Sequence, residues 1–435
     1  MGRAIPLNIV NARPRLRPIE TIVVPDKKHG KVLVLRDTQG VARGHAVLPP
    51  ALIPIVARFT GNKTCAQIAR EASRELGAEI DTETVERIAR ELDEGLFLEG
   101  DTFARAMEDV RREFAASPVR PASHAGGAYH GDRKKLAQYI DHDCVEKSRA
   151  TRLDSRDDSG PMRALVAPHI DPWRGAIGYG HAYGALGASL AKDARVDTFV
   201  ILGTSHAPMR EPFALCRKGY DTPLGEMPVD EAFVDELARA CDFDPYADLL
   251  NHKREHSIEF QAVYLRHALG AREARIVPIL AGLGDEQSTR RTPRTTDAVA
   301  RFLDALRDGI AKRDGRVVVV AGADMAHVGP RFGDAKPHDR EKRAALEKTD
   351  RDSLAHAAAR DAPAFWDHVA RDLDERRVCG LAPVFSLLDV LPEVARGDVL
   401  HYEQNVDPDD GSIVSFASVA FYASKSINSL AGKTR

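Results

Sequence analysis

The chain has 435 residues, 43% of them hydrophobic, and a formal net charge of −3 with acids and bases interspersed. That length exceeds one ordinary domain and supplies a sizeable core, so two units are expected. The charge balance offers no field to steer nucleic acid, and no apolar run approaches the ~20 residues of a membrane helix. The five cysteines, Cys65, Cys144, Cys216, Cys241 and Cys379, are scattered, odd in number and without a CxxC pair. With no signal peptide, they argue against a disulfide framework and for a reducing, cytoplasmic setting.

Residues 1 to about 30 are rich in proline and arginine and show no clear period. KVLVLRD (Lys31–Asp37) is read as a strand, and three amphipathic helical patterns follow: LPPALIPIVARFT, TCAQIAREASREL and DTETVERIARELDEG. Thr64 with Gln67 three residues on forms a capping box, and Asp81 caps the third pattern, which aligns Val85, Ile88 and Leu92. LFLEGD closes as a short strand. A strand, three helices and a closing strand make residues 1–115 a small winged-helix-like α+β unit. Its third helix carries Glu83, Glu86, Glu91, Asp93 and Glu94 against Arg87 and Arg90, a poor face for a phosphate backbone. Peptide or protein contact is the reading; a helical dimerisation or packing module is the alternative. A charged helix from about Thr102 to Ser117 then leads into SPVRPASHAGG, read as a linker and domain boundary. SRATRLDSRDDSGP (Ser148–Pro161) is read as an exposed loop.

From Arg163 the pattern changes. RALVAP, DTFVILG, RIVPILAG and RVVVVAGAD are short and nearly continuous in hydrophobicity, as strands covered on both faces are. Between them lie YGHAYGALGASLA, VDEAFVDELARA, SIEFQAVYLRHAL and TTDAVARFLDALRDGIAKR, all with helical spacing. The alternation implies an α/β domain over residues 116–425 with a largely parallel central sheet flanked by helices. GSIVSFASVAFYA adds a last strand, read as antiparallel, and residues 426–435 form a tail.

Three of the buried strands end in polar groups. RALVAP runs into His169; DTFVILG runs through Thr204 and Ser205 into His206; RVVVVAGA runs into Asp324, with His327 beyond. Strand carboxyl ends line the ligand crevice of open α/β sheets, so these groups are expected to converge. EHSIE adds His256 at a helix start, where the neutral imidazole is favoured; a solvated Glu255–His256 cap is the alternative. Cys379 precedes Gly380 and an apolar helix whose N-terminus favours thiolate, whereas Cys144, Cys216 and Cys241 read as small hydrophobes or loop residues. The set His169, His206, His256, Asp324, His327 and Cys379 suits iron, copper or zinc better than magnesium or calcium. A cysteine nucleophile with a histidine base is the competing chemistry, but it needs fewer histidines. No phosphate loop, dinucleotide fingerprint, nucleophile elbow or HExxH motif is present.

These residues fall in ordered blocks: SHAGGAY (Ser123–Tyr129), VAPHI, ILGTSH, YDTPLGEMPVD, EHSIEFQ, VPILAG, ADMAHVGPRF (Ala323–Phe332) and VCGLAPV (Val378–Val384). Together, over residues 120 to 425, they resemble the Memo-like proteins, whose prokaryotic members are called AmmeMemoRadiSam system protein B. The resemblance implies a fold similar to class III extradiol dioxygenases and an iron- or copper-binding cleft. It implies His169, His206 and Cys379 as metal ligands, with Asp324 and His327 lining the same pocket and His256 beside it. The sequence departs from the family's APHAGY as APHIDPWRG, from its Ser-Asp-x-x-His at Ala323, and from CGxHP at Ala382. Residues 1–115 lie outside the resemblance and look similar to PqqD-like peptide-recognition modules. The family name implies a radical-SAM protein and a third system protein as partners.

Two functions follow as expectations. One is a metal-dependent, dioxygenase-like oxidoreductase in which His327 is the acid/base and Asp324 or His256 orients it. The other is a non-catalytic metal-binding or scaffold protein that recognises a peptide or partner. A thiol hydrolase using Cys379 ranks behind both.

Overall fold

Residues 13–37, 40–42, 44–150, 160–192, 195–283, 291–314, 316–371, 373, 375–391 and 397–423 are described by a computed structural model. The chain divides into two units, Met1–Ser117 and Pro118–Arg435. The tail read at 426–435 and residues 151–159 of the soft loop lie outside the described residues. No helix among the described residues is long and apolar enough to cross a membrane.

In the front unit, β1 (Glu20–Asp26), β2 (Gly30–Arg36) and β3 (His45–Leu48) form an antiparallel sheet in that order. Residues before 30 show no clear period in the sequence, yet β1 forms there by pairing along its length with β2. The turn between them is closed by Gly30 at φ 74° and by Asp26, whose carboxylate accepts from the amides of Lys28 and His29. Two helices form as their caps predict: α1 (Cys65–Leu76), with the Thr64–Gln67 capping box, and α2 (Thr82–Glu94), capped by Asp81. The helix α3 (Asp101–Ala116) follows. LPPALIPIVARFT yields only a 3-10 turn at Pro50–Leu52 and one helical turn at Ile53–Val56, as its three prolines would limit it to. LFLEGD is no strand; only Leu98 bridges, to Leu16. Leu35, Leu48, Ile68, Val85, Ile88 and Leu92 share the core of this unit.

The larger unit begins with β4 (Val119–Arg120) and α4 (Arg133–Tyr139), then β5 (Met162–Ala167), α5 (Pro172–Lys192) and β6 (Thr198–Thr204). It continues through β7 (Phe213–Leu215), β8 (Gly219–Tyr220), α6 (Glu231–Ala240), α7 (His256–Leu269), β9 (Arg275–Ala281), α8 (Asp297–Ala311) and β10 (Val317–Gly322). It ends with β11 (Asp324–Val328), α9 (Arg340–Ala358), α10 (Ala362–Ala370), α11 (Leu381–Val390), β12 (Asp398–Val406) and β13 (Ile413–Tyr422). The main sheet has eight strands in the order β11-β13-β5-β10-β6-β9-β7, with β12 on β13. β5, β10, β6 and β9 run parallel, while β7, β11, β12 and β13 pair antiparallel. The sheet is therefore mixed, not largely parallel. The turn from β12 to β13 is too short for a crossover, so those strands must reverse.

Both faces of the parallel strands are covered, which is why their sequences do not alternate. Val317, Val319 and Ala321 of β10 join the core under α6, α8, α10 and α11. Val318 and Val320 join the opposite core under α5 and α7. Two glycines let the start of α7 press on the strand ends. A Cβ at Gly322 would lie 2.4 Å from the Ser257 carbonyl, and one at Gly203 would lie 2.6 Å from Ser257 Oγ and Ile258 Cγ1.

Gly322→Ala forces backbone apart and should cost about 1–3 kcal/mol. Scanning calorimetry should show this as a lowered Tm; an unchanged Tm would mean that α7 does not lie against β10.

Candidate metal centre

Beyond β5, Pro168 and His169 turn into the cleft. The His169 amide donates to Asp324 Oδ1 at 2.9 Å, and Nδ1 lies 2.9 Å from the Gly322 carbonyl. A carbonyl only accepts, so Nδ1 carries the proton and Nε2 is left as a lone pair. That Nε2 lies 3.1 Å from Cys379 Sγ. Cys379 is brought there by the start of α11: Thr204 Oγ1 donates to its carbonyl at 2.9 Å, and the Gly380 amide donates to the Asp324 carbonyl at 3.1 Å. A Cβ at position 380 would sit 2.4 Å from that same carbonyl, which accounts for the glycine after the cysteine.

Beyond β6, the His206 amide donates to Glu255 Oε2 at 2.9 Å, and Nδ1 lies 3.0 and 3.1 Å from the two Glu255 oxygens. Nε2 of His206 is again the free nitrogen. Glu255 also caps α7 by accepting from the Ser257 amide at 2.9 Å and stands 3.3 Å from His256 Nδ1. Glu255 is thus a helix cap, but it is buried rather than solvated.

The three histidines contact one another, with ring centroids 5.1 Å apart for His169–His206, 5.3 Å for His169–His256 and 4.6 Å for His206–His256. Burial, reinforced by the neighbouring His206, pushes His169 down to about 3. Burial likewise holds His256 well below the ordinary histidine value despite Glu255, and lowers His327. At His206 burial opposes the charged form, but the charge and hydrogen bond of Glu255 prevail and raise it. Glu255 is lowered although burial acts the other way, because His206 and His256 face it. Burial raises Asp324 against the pull of His327 and the His169 and Ile170 amides.

Donor atoms of His169, His206 and Cys379 all lie within 4.8 Å of one another, as do those of His206, Glu255 and His256. A metal with bonds of ~2.0–2.3 Å to nitrogen and sulfur separates its ligand atoms by roughly 3–4 Å, a range that His169 Nε2 and Cys379 Sγ meet at 3.1 Å. Its far nitrogens already have the partners that orient metal-bound imidazoles. The carboxylate of the second set is engaged by His206 and Ser257, which makes Glu255 a support for the first set.

Asp324 lies beside the donors, its Oδ2 3.7 Å from His169 Nε2. His327 belongs to neither donor set. Its amide donates to the Arg376 carbonyl at 2.7 Å, and its Nδ1 lies 3.2 Å from the Arg377 carbonyl. Cys144 and Cys216 are buried, and burial pushes both thiols up to about 12. Trp173, from the departure beside His169, is exposed; its Nε1 donates to the Gly127 carbonyl at 2.9 Å, and it packs edge-on against His130 and Tyr139.

The segment read as a linker is built into the larger unit instead. Arg120 is fully buried and paired with the fully buried Glu259. The Glu259 carboxylate also accepts from Tyr129 OH, from Ser123 Oγ at 3.2 Å, and from the amide and Nδ1 of His124, both at 2.9 Å. His124 in turn packs edge-on against His256 at 5.8 Å. Proline and glycine in this stretch suggested a linker, but Arg120 and Glu259 need each other once dehydrated. The signal available in the sequence was the pair of glutamates in EHSIE, one helical turn apart.

Fold and centre together define an α/β protein with an imidazole–thiol donor group at the ends of its parallel strands. The chain belongs to the Memo-like protein family, whose profile matches residues 120–420. A MEMO1 family protein of Aquifex aeolicus is 26% identical over 396 residues, 91% of this chain and 97% of its own length. Another from Thermus thermophilus is 26% identical over 359 residues, covering 79% of this chain and 95% of its own. The protein memo-1 homolog of Caenorhabditis elegans is 27% identical over 322 residues, covering 69% and 81%. A match over 91% of the chain must extend into the front unit, so the Aquifex relative shares at least part of it.

Burial works against the Glu259 charge, yet His124 and Arg120 hold its carboxyl down at about 2. An unfolded glutamate titrates near ~4.3, so its folded value is depressed. Its stabilisation is present above the unfolded value and is lost as pH falls through about 2. Glu259→Gln leaves Arg120 without its carboxylate and should cost about 3–5 kcal/mol at pH 7. The Tm gap between wild type and variant should narrow as pH falls from 5 towards 2; a gap independent of pH would contradict this account.

Proposed function

We propose that the larger unit binds a metal ion, a redox metal (iron first, then copper) or, as a further alternative, redox-inert zinc, on His169 Nε2, His206 Nε2 and Cys379 Sγ. The observation that carries this reading is the commitment of both outer imidazole nitrogens, to the Gly322 carbonyl and to Glu255, while an inner nitrogen meets the thiol at 3.1 Å. Imidazole and thiolate together suit such metals. Bound iron would supply open positions for dioxygen or substrate and one-electron chemistry.

The function we infer is a dioxygenase-like oxidation in a cleft similar to that of class III extradiol dioxygenases. His256, kept neutral beside the donors, is a proton acceptor, and the buried Asp324 holds the His169 backbone. His327, whose Nδ1 faces the Arg377 carbonyl, presents Nε2 as a further acceptor. The same donor set also serves the alternative reading, a non-catalytic metal-binding or scaffold protein that recognises a peptide or partner. We assign the front unit to contact with a peptide or with a radical-SAM protein and its third system partner.

Anaerobically purified protein should contain stoichiometric metal, lost in His206→Ala and in Cys379→Ser. Glu255→Gln should weaken metal affinity by about 10–100-fold, as removal of an orienting partner does. Unchanged metal content in the first two variants would sink the ligand set. Oxygen uptake with a panel of catechols supports turnover; metal without uptake supports the scaffold reading. Deleting residues 1–115 should abolish uptake while metal is retained if the front unit delivers substrate or partner.

A further inference from the structure

In front of His206 and Cys379 opens a cleft of about 550 Å³, a size suited to a small ligand. One wall is the loop that follows His206. Asp248 anchors this loop by accepting from the amides of Arg210 at 2.7 Å and Glu211 at 3.1 Å, and the Gly282 amide donates to the Pro212 carbonyl at 2.9 Å. A Cβ at Gly282 would lie 2.6 Å from Met209 Sδ and 3.2 Å from Met209 Cβ. Glycine there lets the Met209 side chain lie against the chain just beyond β9. Pro208, Met209, Pro212, Ala298 and Ala382 give the cleft its apolar surface. Ala382 takes the place of the histidine in the CGxHP pattern, which removes an imidazole from the wall.

The hydroxyls that precede His206 are spent within the protein. Thr204 Oγ1 donates to the Cys379 carbonyl at 2.9 Å, and Ser205 Oγ donates to the Ala207 carbonyl at 2.8 Å. Both arginines of the lining are paired with carboxylates, Arg210 with Asp248 at 3.1 Å and Arg377 with Asp334 at 2.7 Å. Glu211 has no ion pair among the described residues, so the charge that the lining leaves uncompensated is negative. An anion entering the cleft would lose water without gaining a free cation, which is costly. An uncharged apolar molecule loses little and buries its surface against the thioether and the prolines.

We propose that this cleft binds a small, uncharged, apolar molecule, recognised by the Met209 wall and not by a charged anchor. Under the proposed oxidation this confines the substrate to compounds without an acidic substituent, such as catechols that carry no carboxylate. The word substrate rests on that reading of the metal centre; binding to the apolar wall does not itself require metal.

Equilibrium dialysis of the full chain, metal-stripped and iron-loaded under anaerobic conditions, should use three probes of similar shape: naphthylmethanol, naphthoate and naphthylmethylamine. In the stripped protein the alcohol should bind at least about tenfold more tightly than the acid or the amine. Gly282→Ala drives Met209 from its place, and Met209→Ser removes the apolar wall without that clash. Each should weaken the alcohol by about fivefold or more. Ala382→His should narrow the gap between alcohol and acid. Acid or amine binding as tightly as the alcohol, or full alcohol affinity in Met209→Ser, would overturn the proposal. Alcohol binding that depends on Met209 in a protein that loads no metal would sink the redox reading and leave the apolar site standing. Metal loading without alcohol binding would do the reverse.

Discussion

The close approach of the first two turns of α7 to the ends of β5, β6 and β10 is the constraint on which the imidazole–thiol donor cluster depends. Glycine at 203 and 322 removes the side chains that would hold the helix off. Once α7 is seated, its alternate residues each secure a different segment. Glu255 takes His206, Ser257 Oγ donates to the Thr204 carbonyl, Glu259 gathers the 120–129 segment, and Gln261 Nε2 donates to the Pro168 carbonyl. Two of those contacts fix residues immediately before or at the histidines. The helix is a template that sets donor spacing, and side-chain packing elsewhere keeps it in place.

A similar arrangement fixes the approach to Cys379. Arg376 is buried and donates to the buried Asp350, whose other oxygen accepts from Ser415 Oγ and Tyr402 OH. Asp350 is raised by burial even with these partners around it. Burying paired charges seldom improves stability over apolar packing of equal volume, whereas removing one partner is costly. Their value here is positional: α9, β12 and β13 are tied to the residues that precede the thiol.

Much of this arrangement was legible in the sequence. The strands from RALVAP to RVVVVAGAD announced themselves by continuous hydrophobicity, and His169, His206, Asp324 and Cys379 by their places at element ends. The mixed character of the sheet was not legible, because residue pattern reports burial and not direction. Glu255 and Glu259 were hidden for a related reason. A glutamate in a first helical turn reads as a solvated cap unless its partners, here 49 and 135 positions away, are already known to be close. Arg120 illustrates the same limit, since a lone arginine between prolines resembles a linker until its carboxylate is identified. Strand β1 was missed because its alternation gains meaning only against β2.

The protonation pattern of the centre bears on why burial is tolerated there. A metal ligand must be deprotonated when the ion arrives, and any proton it holds must first be displaced. Burial holds His169 neutral at pH 7, and the hydrogen bond from Nδ1 to Gly322 leaves the lone pair on Nε2. His206 is raised instead, so Glu255 favours its charged form in the absence of an ion. A metal ion held by His206 Nε2 would supply that positive charge in place of the proton, with Glu255 still paired to Nδ1. The same carboxylate that compensates a protonated His206 would thus compensate a metal-bound one.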